Sequence, residues 1–365
     1  MYQPYVFPFL KKADFESLDP EITHTFYLHT LHIAQNQPAI YNLIKKKLDV
    51  ADPRLEVNLF GLKFKNPIGA AAGFDKNGIA VKALSAIGFG SIEAGTVTPL
   101  PQYGKAKHRL FRLEEDCALI NRYGFANDGV DHLKHHLKSL TDRDYIVGVN
   151  IGPNAKTVEE GDPLEDYVKC IKRIHELTDY FTINISSPNT EGLRLLQTQN
   201  LLDKLLDTVF KTVKQLKIKK PFLIKIAPDL TEEGLLELLD VLQNYPVAGI
   251  IVANTTLERP KDLISKAKTE SGGLSGKPLT NKSTKIIRTI YKKRGEKLPI
   301  IGVGGVFTAA DAIEKIEAGS SLVQLYTGFI FEGPVIVKNI NLGLIKYMKK
   351  HRIKNIKAMV GRAVS

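Results

Sequence analysis

The chain has 365 residues, 43% hydrophobic and 25% charged, which suits one large core with an appendage and excludes a disordered chain. Its formal charge of +12 concentrates at Lys45-Lys46-Lys47, Lys217-Ile218-Lys219-Lys220, Lys292-Lys293-Arg294 and the tail Lys346 to Lys357. Few aromatics are interleaved there, so nucleic-acid binding, which usually pairs stacking residues with charge, is not expected. Apolar runs such as Phe222 to Ile226 and Ala248 to Ala253 are strand-sized, far below the roughly 20 residues of a membrane span. Met1 to Leu10 lacks a leading basic region and a small-residue cleavage site, so the expected setting is inside the cell. Cys117 and Cys170 lie far apart without metal or redox spacing, and both read as structural.

In chain order, Asp19-Pro20 predicts a helix to about Gln35, and Pro38 a second one to Leu48. On the second, Ile40, Ile44 and Leu48 form an i, i+4 stripe bordered by the three lysines. Such a pair can pack on a protein wall or lie in the headgroup region of a membrane; periodicity leaves both open. From residue 67 short apolar strands alternate with amphipathic stretches. The strands are expected at Pro67 to Ala72, Ser91 to Ala94, Ile146 to Asn150, Phe181 to Ser186, Phe222 to Ile226, Gly249 to Ala253, Pro299 to Val303 and Ser321 to Tyr326. Helices should open near Asn77, Asn127, Asp162-Pro163, Asn200, Thr231, Lys277-Pro278, Thr308 and Gly333-Pro334.

Eight strand–helix alternations predict an α/β chain of the (β/α)8 TIM-barrel type with a small N-terminal helical extension. The division expected is residues 1–55 for the extension and 56–365 for the barrel. An open doubly wound sheet is the alternative, but Gly69 to Gly73 does not fit its Gly-x-Gly-x-x-Gly turn. The longest enlargement of a strand–helix loop, Thr96 to Phe125, should fold over the carboxyl-end mouth where barrel active sites lie.

Three features at that mouth carry chemistry. Glycines cluster in Gly302-Val303-Gly304-Gly305, in Tyr326-Thr327-Gly328 and in Gly272 to Gly276. The loops after the last two strands are the usual phosphate site of such barrels, and backbone N–H groups there can hold a monophosphate. Lys76, after the first strand, and Lys225, within a later one, would be costly inside a barrel without an anion. A reduced flavin, a substrate carboxylate, a Schiff base or simple ion pairing would each account for them. Asn121, Asn150, Asn184, Asn189 and Asn254 fall at strand ends or in the loops beyond, as suits a flat ligand rich in carbonyl and N–H groups. His132 and His136 are four apart but lack the glutamate and third ligand of a metalloprotease helix, so no metal site is expected.

Asn184-Ile185-Ser186-Ser187-Pro188-Asn189-Thr190 ends a strand in amides and hydroxyls, with no acid, histidine or cysteine. With that loop, Ala71 to Lys76, Gly95-Thr96-Val97-Thr98-Pro99, Asn121-Arg122-Tyr123-Gly124-Phe125, Lys225 to Asp229, Asn254-Thr255-Thr256, Gly272 to Gly276 and Gly302 to Gly305, the chain resembles the quinone-linked, membrane-associated dihydroorotate dehydrogenases almost end to end. The resemblance implies oxidation of dihydroorotate to orotate on FMN in pyrimidine synthesis, with a membrane quinone receiving the electrons. It makes Ser187 the catalytic base, where the soluble class carries cysteine. It assigns Ala72, Gly73, Phe74, Asp75, Lys76, Thr96, Asn150, Asn184, Lys225, Gly276, Gly305, Tyr326 and Thr327 to FMN. Lys76, Asn121, Arg122, Tyr123, Gly124, Phe125, Asn184, Asn189, Asn254 and Thr255 are assigned to the substrate, and Thr190 with Phe125 to proton exit. His24 and Arg112 are implied at the quinone, and the helical pair on an anionic membrane surface at the cytoplasmic face, as a peripheral monomer. Ala253 departs from the threonine many members carry, which removes a hydroxyl near the flavin.

Overall fold

The computed structural model describes residues 19–140 and 143–364. The stretch Met1 to Leu10, read above for an export signal, lies outside them. Two helices come first, α1 (Pro20–Gln35) and α2 (Pro38–Leu48), followed by an antiparallel hairpin of β1 (Val57–Leu59) and β2 (Leu62–Phe64). Then come β3 (Ile68–Ala70), α3 (Val81–Ala86), β4 (Ser91–Val97), β5 (Leu110–Leu113), β6 (Ala118–Asn121) and α4 (Val130–Lys138). The middle of the chain forms β7 (Ile146–Ile151), α5 (Ala155–Glu159), α6 (Leu164–Ile174), β8 (Tyr180–Asn184), α7 (Gln199–Gln215), β9 (Phe222–Ile226), α8 (Glu232–Leu242) and β10 (Gly249–Val252). The last part forms β11 (Gly273–Gly276), α9 (Thr280–Arg294), β12 (Ile300–Val303), α10 (Ala309–Glu317), β13 (Ser320–Leu325), α11 (Thr327–Glu332) and α12 (Val335–Lys350).

Strands β3, β4, β7, β8, β9, β10, β12 and β13 close into one parallel barrel, each at a position where the apolar runs predict it. Both faces of these strands are covered, by barrel interior on one side and helices on the other, which is why they read as continuous apolar runs. Helix starts follow the caps with one instructive shift. Beyond β3 the helix begins at Val81 rather than Asn77, because Asp75 reaches forward and accepts from the N–H groups of Ile79 and Ala80 at 3.0 and 2.8 Å. Thr308 makes a full capping box with Asp311 ahead of α10.

Three features escape the periodic pattern. The β1–β2 hairpin has three-residue strands joined through Phe60 and Gly61, both at positive φ (57° and 76°), as a tight primed turn requires. Phe60 packs so closely at the start of β10 that a Cβ on Gly249 would meet its ring at 2.8 Å, so the hairpin plugs the amino-end opening of the barrel. Strand β11 arises from the loop after β10 and pairs antiparallel with β6, making a three-stranded sheet β11-β6-β5. The expected cover over the mouth is therefore built from two distant loops, with its own small core of Leu113, Ala118, Ile120, Leu263 and Leu274. Third, the short helix α11 follows β13 directly.

The N-terminal helices serve two surfaces. Gln35 clamps α1 to the barrel, donating to the Ile79 carbonyl (2.6 Å) and accepting from the Ala83 N–H (3.0 Å). The stripe on α2 divides: Ile44 and Leu48 pack against the core, while Ile40 stays 45% exposed. Exposed beside it are Leu43 of α2 and Ile22, Phe26 and Ile33 of α1. No helix among the described residues is long and apolar enough to cross a membrane.

The first barrel strand is pinned by Asn66, whose buried amide accepts from the Ile68 N–H (3.0 Å) and donates to the Gly88 carbonyl (2.8 Å). Asn66→Ala leaves two buried backbone groups without partners, and should cost about 2 to 4 kcal/mol of stability, read as a lower midpoint in urea unfolding at unchanged slope.

Candidate active site

The cleft at the carboxyl ends of the barrel strands is lined from nine separate segments of chain. Ala72, Gly73 and Lys76 follow β3, Thr96 ends β4, and Asn184 ends β8, with Ser187 and Asn189 just beyond. Lys225 points in from β9, Asn254 and Thr255 follow β10, and Asn121, Tyr123, Gly124 and Phe125 come from the cover. Gly276, Gly305, Tyr326 and Thr327 complete the wall.

Amide orientation in this wall is set from below. Glu93 on β4 is only 1% exposed and takes three donors: Asn150 Nδ2 (2.8 Å), Tyr180 Oη (3.1 Å) and Gln324 Nε2 (2.8 Å). A carboxylate only accepts, so Asn150 must turn its NH2 downward and its Oδ1 upward. That oxygen receives Thr96 Oγ1 (2.6 Å) and Asn184 Nδ2 (3.0 Å). Asn184 in turn offers its Oδ1 to the Ser186 hydroxyl and N–H, and Ser186 Oγ accepts from Asn254 Nδ2 at 3.0 Å. On the other side Asn189 Nδ2 donates to Asn121 Oδ1 (3.1 Å). Among the described residues, Ser187 Oγ accepts only a long bond from the Asn189 N–H (3.3 Å).

Two lysines bring positive charge. Lys225 is buried, which pushes its ammonium down, and the Glu93 carboxylate opposes that. Lys76 sits over the Tyr123 ring, 3.6 Å from its centroid. Burial and the nearby Arg109 guanidinium push it down to about 8, against Glu21 and Asp75. Several buried polar atoms find no partner among the described residues, including Thr255 Oγ1, Gln324 Oε1 and Tyr123 Oη, all on cleft-lining residues. Orphaned polar atoms of this kind are rare unless a ligand or water satisfies them.

The glycine walls are close packed. A Cβ on Gly305 (φ 72°) would meet Thr280 Oγ1 at 1.9 Å, and one on Gly276 (φ 97°) would meet the Cys117 carbonyl at 2.3 Å. Neither position has room for a side chain, so the backbone itself forms the wall there, as suits a close approach by a phosphate. The cleft therefore fits a ligand with a monophosphate and a flat, amide-bearing body.

The family model for dihydroorotate dehydrogenase matches residues 54–348. A protein of Christiangramia forsetii named dihydroorotate dehydrogenase (quinone) is 49% identical over 346 residues, covering 95% of this chain and 99% of the relative. An Escherichia coli protein of the same name is 47% identical, covering 92% and 98%. The chain belongs to the dihydroorotate dehydrogenase family. Two crystal structures of DHODH from Eimeria tenella, one ligand-free and one with ferulenol, share the fold at a TM-score of 0.87 and 36% identity. Each covers 94% of this chain, which covers 95% of the ferulenol-bound chain and 99% of the ligand-free one. Dihydroorotate dehydrogenases are flavin-dependent oxidoreductases, so the flat ligand has a class.

Of the residues the family resemblance assigns, some lie off the cleft wall. Asp75 is committed to the start of α3, and Phe74 packs among His24, Tyr27, Tyr326 and Phe329. Asn150 supports the wall from beneath. Arg122 turns outward to Glu270 (2.7 Å) and over the Phe111 ring. Thr190 is buried behind Ser187 in sequence, its hydroxyl without a partner among the described residues. His24 stacks edge-on against Phe74 at 5.1 Å, whereas Arg112 lines a neighbouring groove with Asp19, Pro20 and His108. Sequence reasoning passes over Glu93 and Gln324. An acid in the otherwise uncharged strand Ser91–Val97 is the signal that finds the first; nothing in the sequence singles out the second.

The His24 ring is pushed down to about 3 by burial and by the Lys76 charge, with a contact to the Phe74 backbone opposing. A folded value below the free one of 6.5 means that detached α1 binds the proton more readily, so the docking this ring supports is full above 6.5 and drains away as pH falls towards 3. Amide exchange across α1, corrected for intrinsic rates, should accelerate as pH is lowered below 6.5, and His24→Phe should abolish that acceleration.

Proposed function

We propose that this cleft binds FMN with its phosphate on the backbone of Gly276, Gly305 and Thr327, and dihydroorotate beneath the three-stranded cover. The protein is a quinone-linked dihydroorotate dehydrogenase: it oxidises dihydroorotate to orotate for pyrimidine synthesis and passes the electrons to a quinone. One observation carries the detailed reading, namely an uncharged serine in a cleft of oriented amides that also holds the buried Lys225 and the half-buried Lys76. FMN, when bound, supplies the hydride acceptor.

The chain's residues do the rest. Asn121, Asn189, Asn254 and Thr255 match the carbonyl and N–H edges of the pyrimidine ring and hold it flat. Lys76, already weakened as a cation by burial, recovers its charge beside the substrate carboxylate. Lys225 stabilises negative charge that develops on the flavin's pyrimidine edge. Ser187 Oγ takes the C5 proton. A serine cannot keep it, so the buried hydroxyl of Thr190, with Phe125 beside the path, forms the exit. Asp75 and Asn150 act through others, by shaping the Lys76 loop and by orienting Asn184.

The apolar face of Ile22, Phe26, Ile33, Ile40 and Leu43, bordered by Lys46 and Lys47, is the proposed membrane contact, on the cytoplasmic side, with the quinone entering near His24 and Arg112 and the protein acting as a monomer. Of the division at residues 1–55 and 56–365, the described part of the first, from Asp19, then forms the access module and the second the catalytic barrel, residues 1–18 lying outside the described ones.

Ser187→Ala should slow dihydroorotate-dependent flavin bleaching by about 10² to 10⁴ in stopped flow, the usual worth of a positioned acid–base group; unchanged bleaching removes Ser187 from the reaction. Phe26→Glu with Leu43→Glu should abolish cosedimentation with anionic vesicles and leave bleaching intact, and vesicle binding equal to that of the parent would refute the membrane face.

A further inference from the structure

A further buried cation lies outside the cleft. Lys315 on α10 is fully buried, and its ammonium donates to Ser283 Oγ (2.5 Å) and Thr284 Oγ1 (3.1 Å), both near the start of α9. It has no carboxylate partner among the described residues. Asp311, one turn earlier, spends its carboxylate on the N–H groups of Phe307 and Thr308 and on the Thr308 hydroxyl. Glu314 is exposed to solvent. Burial accordingly pushes Lys315 down to about 8.

Two costs coincide here. Buried lysines are nearly always paired with an acid. The amino end of a helix already carries positive partial charge, which repels a cation. The last turn of α10, which carries Lys315, and the more distant charges of Glu314 and Asp311 offset these costs only in part, since neither carboxylate touches the ammonium. Its hydroxyl partners, however, lead to the cleft. Ser283 Oγ lies 3.3 Å from the Gly304 carbonyl, and Thr280 Oγ1 donates to the Gly305 carbonyl at 3.0 Å. Gly304 and Gly305 line the cleft that, in the reading above, takes the FMN phosphate.

We propose that Lys315 is a remote positioning residue of the phosphate site: its buried charge, relayed through Ser283 to the Gly304–Gly305 loop, selects a phosphorylated flavin over the bare nucleoside-like one. The ligand's dianion adds to the distant carboxylates a counter-charge that no described side chain places against Lys315, and α9 with Lys315 presents one positive field to it from behind the loop. The inference rests on the FMN assignment and concerns the same site. It predicts opposite effects on the empty and the loaded protein. Replacing an unpaired buried cation by an apolar isostere relieves the empty protein, whereas the loaded one loses attraction.

The test uses the full chain stripped of flavin and titrated separately with FMN and riboflavin. In Lys315→Met, FMN should bind on the order of tenfold more weakly or worse, an effect of one charge across a low-dielectric gap, while riboflavin binding stays unchanged. The stripped variant should melt no lower than the stripped parent, and its gain in melting temperature on adding FMN should shrink. Lys315→Gln, which keeps a hydrogen-bonding group towards Ser283, should lose FMN preference to the same degree and serves if the methionine variant does not fold. Equal weakening of both flavins, or an unchanged preference for FMN, overturns the proposal and leaves the FMN assignment standing. A parent protein that binds riboflavin as tightly as FMN brings down the phosphate assignment itself.

Discussion

A single acid placed among apolar strands governs the polarity of the site. Because Glu93 can only accept, each amide above it has one orientation open to it, from Asn150 to Asn184 and, through the Ser186 hydroxyl, to Asn254. The donors and acceptors that face a ligand are thus fixed before any ligand arrives. Such preorganisation avoids reorientation of dipoles at the moment of reaction, which is where most electrostatic catalysis lies. Glu93 also opposes the burial penalty on Lys225, so one side chain serves both the amide ring and the cation.

A comparable device holds the loops that the barrel itself does not fix. Arg194 donates to the Ser186 carbonyl (3.0 Å), the Thr255 carbonyl (2.9 Å) and the Asp229 carboxylate (2.8 Å). Asp229 also receives Lys282 (2.8 Å), the Leu257 N–H and the Thr256 hydroxyl. The ends of β8, β9 and β10 are therefore tied behind the wall that carries Ser187, Asn254 and Thr255. Charge-assisted bonds of this sort keep a loop in one geometry at small cost when both partners are mostly shielded from water. The N-terminal module joins the same system from outside, since Glu21 of α1 pairs with Arg109, and Arg109 and Lys76 both lie over the Tyr123 ring. Docking of α1 and the charge on Lys76 are electrostatically linked.

What was legible in the chain was whatever depends on local chemistry. Strands buried on two faces must be apolar throughout, so all eight barrel strands stand out, and caps such as Asp19 and Thr308 mark helix starts to within a residue or two. Glycines at strand ends and an amide-rich loop free of acids likewise announce a phosphate and a flat polar ligand. The β1–β2 hairpin was hidden because three-residue strands have no period to read, and β11 because its partner lies some 150 residues away in the chain, pairing Gly273 with Asn121. The i, i+4 stripe on α2 was real as a pattern, yet periodicity cannot say that Ile44 and Leu48 meet the barrel while Ile40 faces outward.

By itself the sequence determined the barrel, the family and the residue types around the mouth, because each of these is written in short-range pattern and in motifs of a few residues. Only the tertiary structure decided which of those residues touch the cleft and which support it: Asp75 is spent on a helix start, Asn150 works from below, and Arg122 faces away. It also decided the roles of Glu93 and Lys315, whose charges matter because of what lies across the barrel or across a helix interface from them. Burial and hydrogen-bond partnership are properties of three-dimensional neighbours, and no window along the chain contains them.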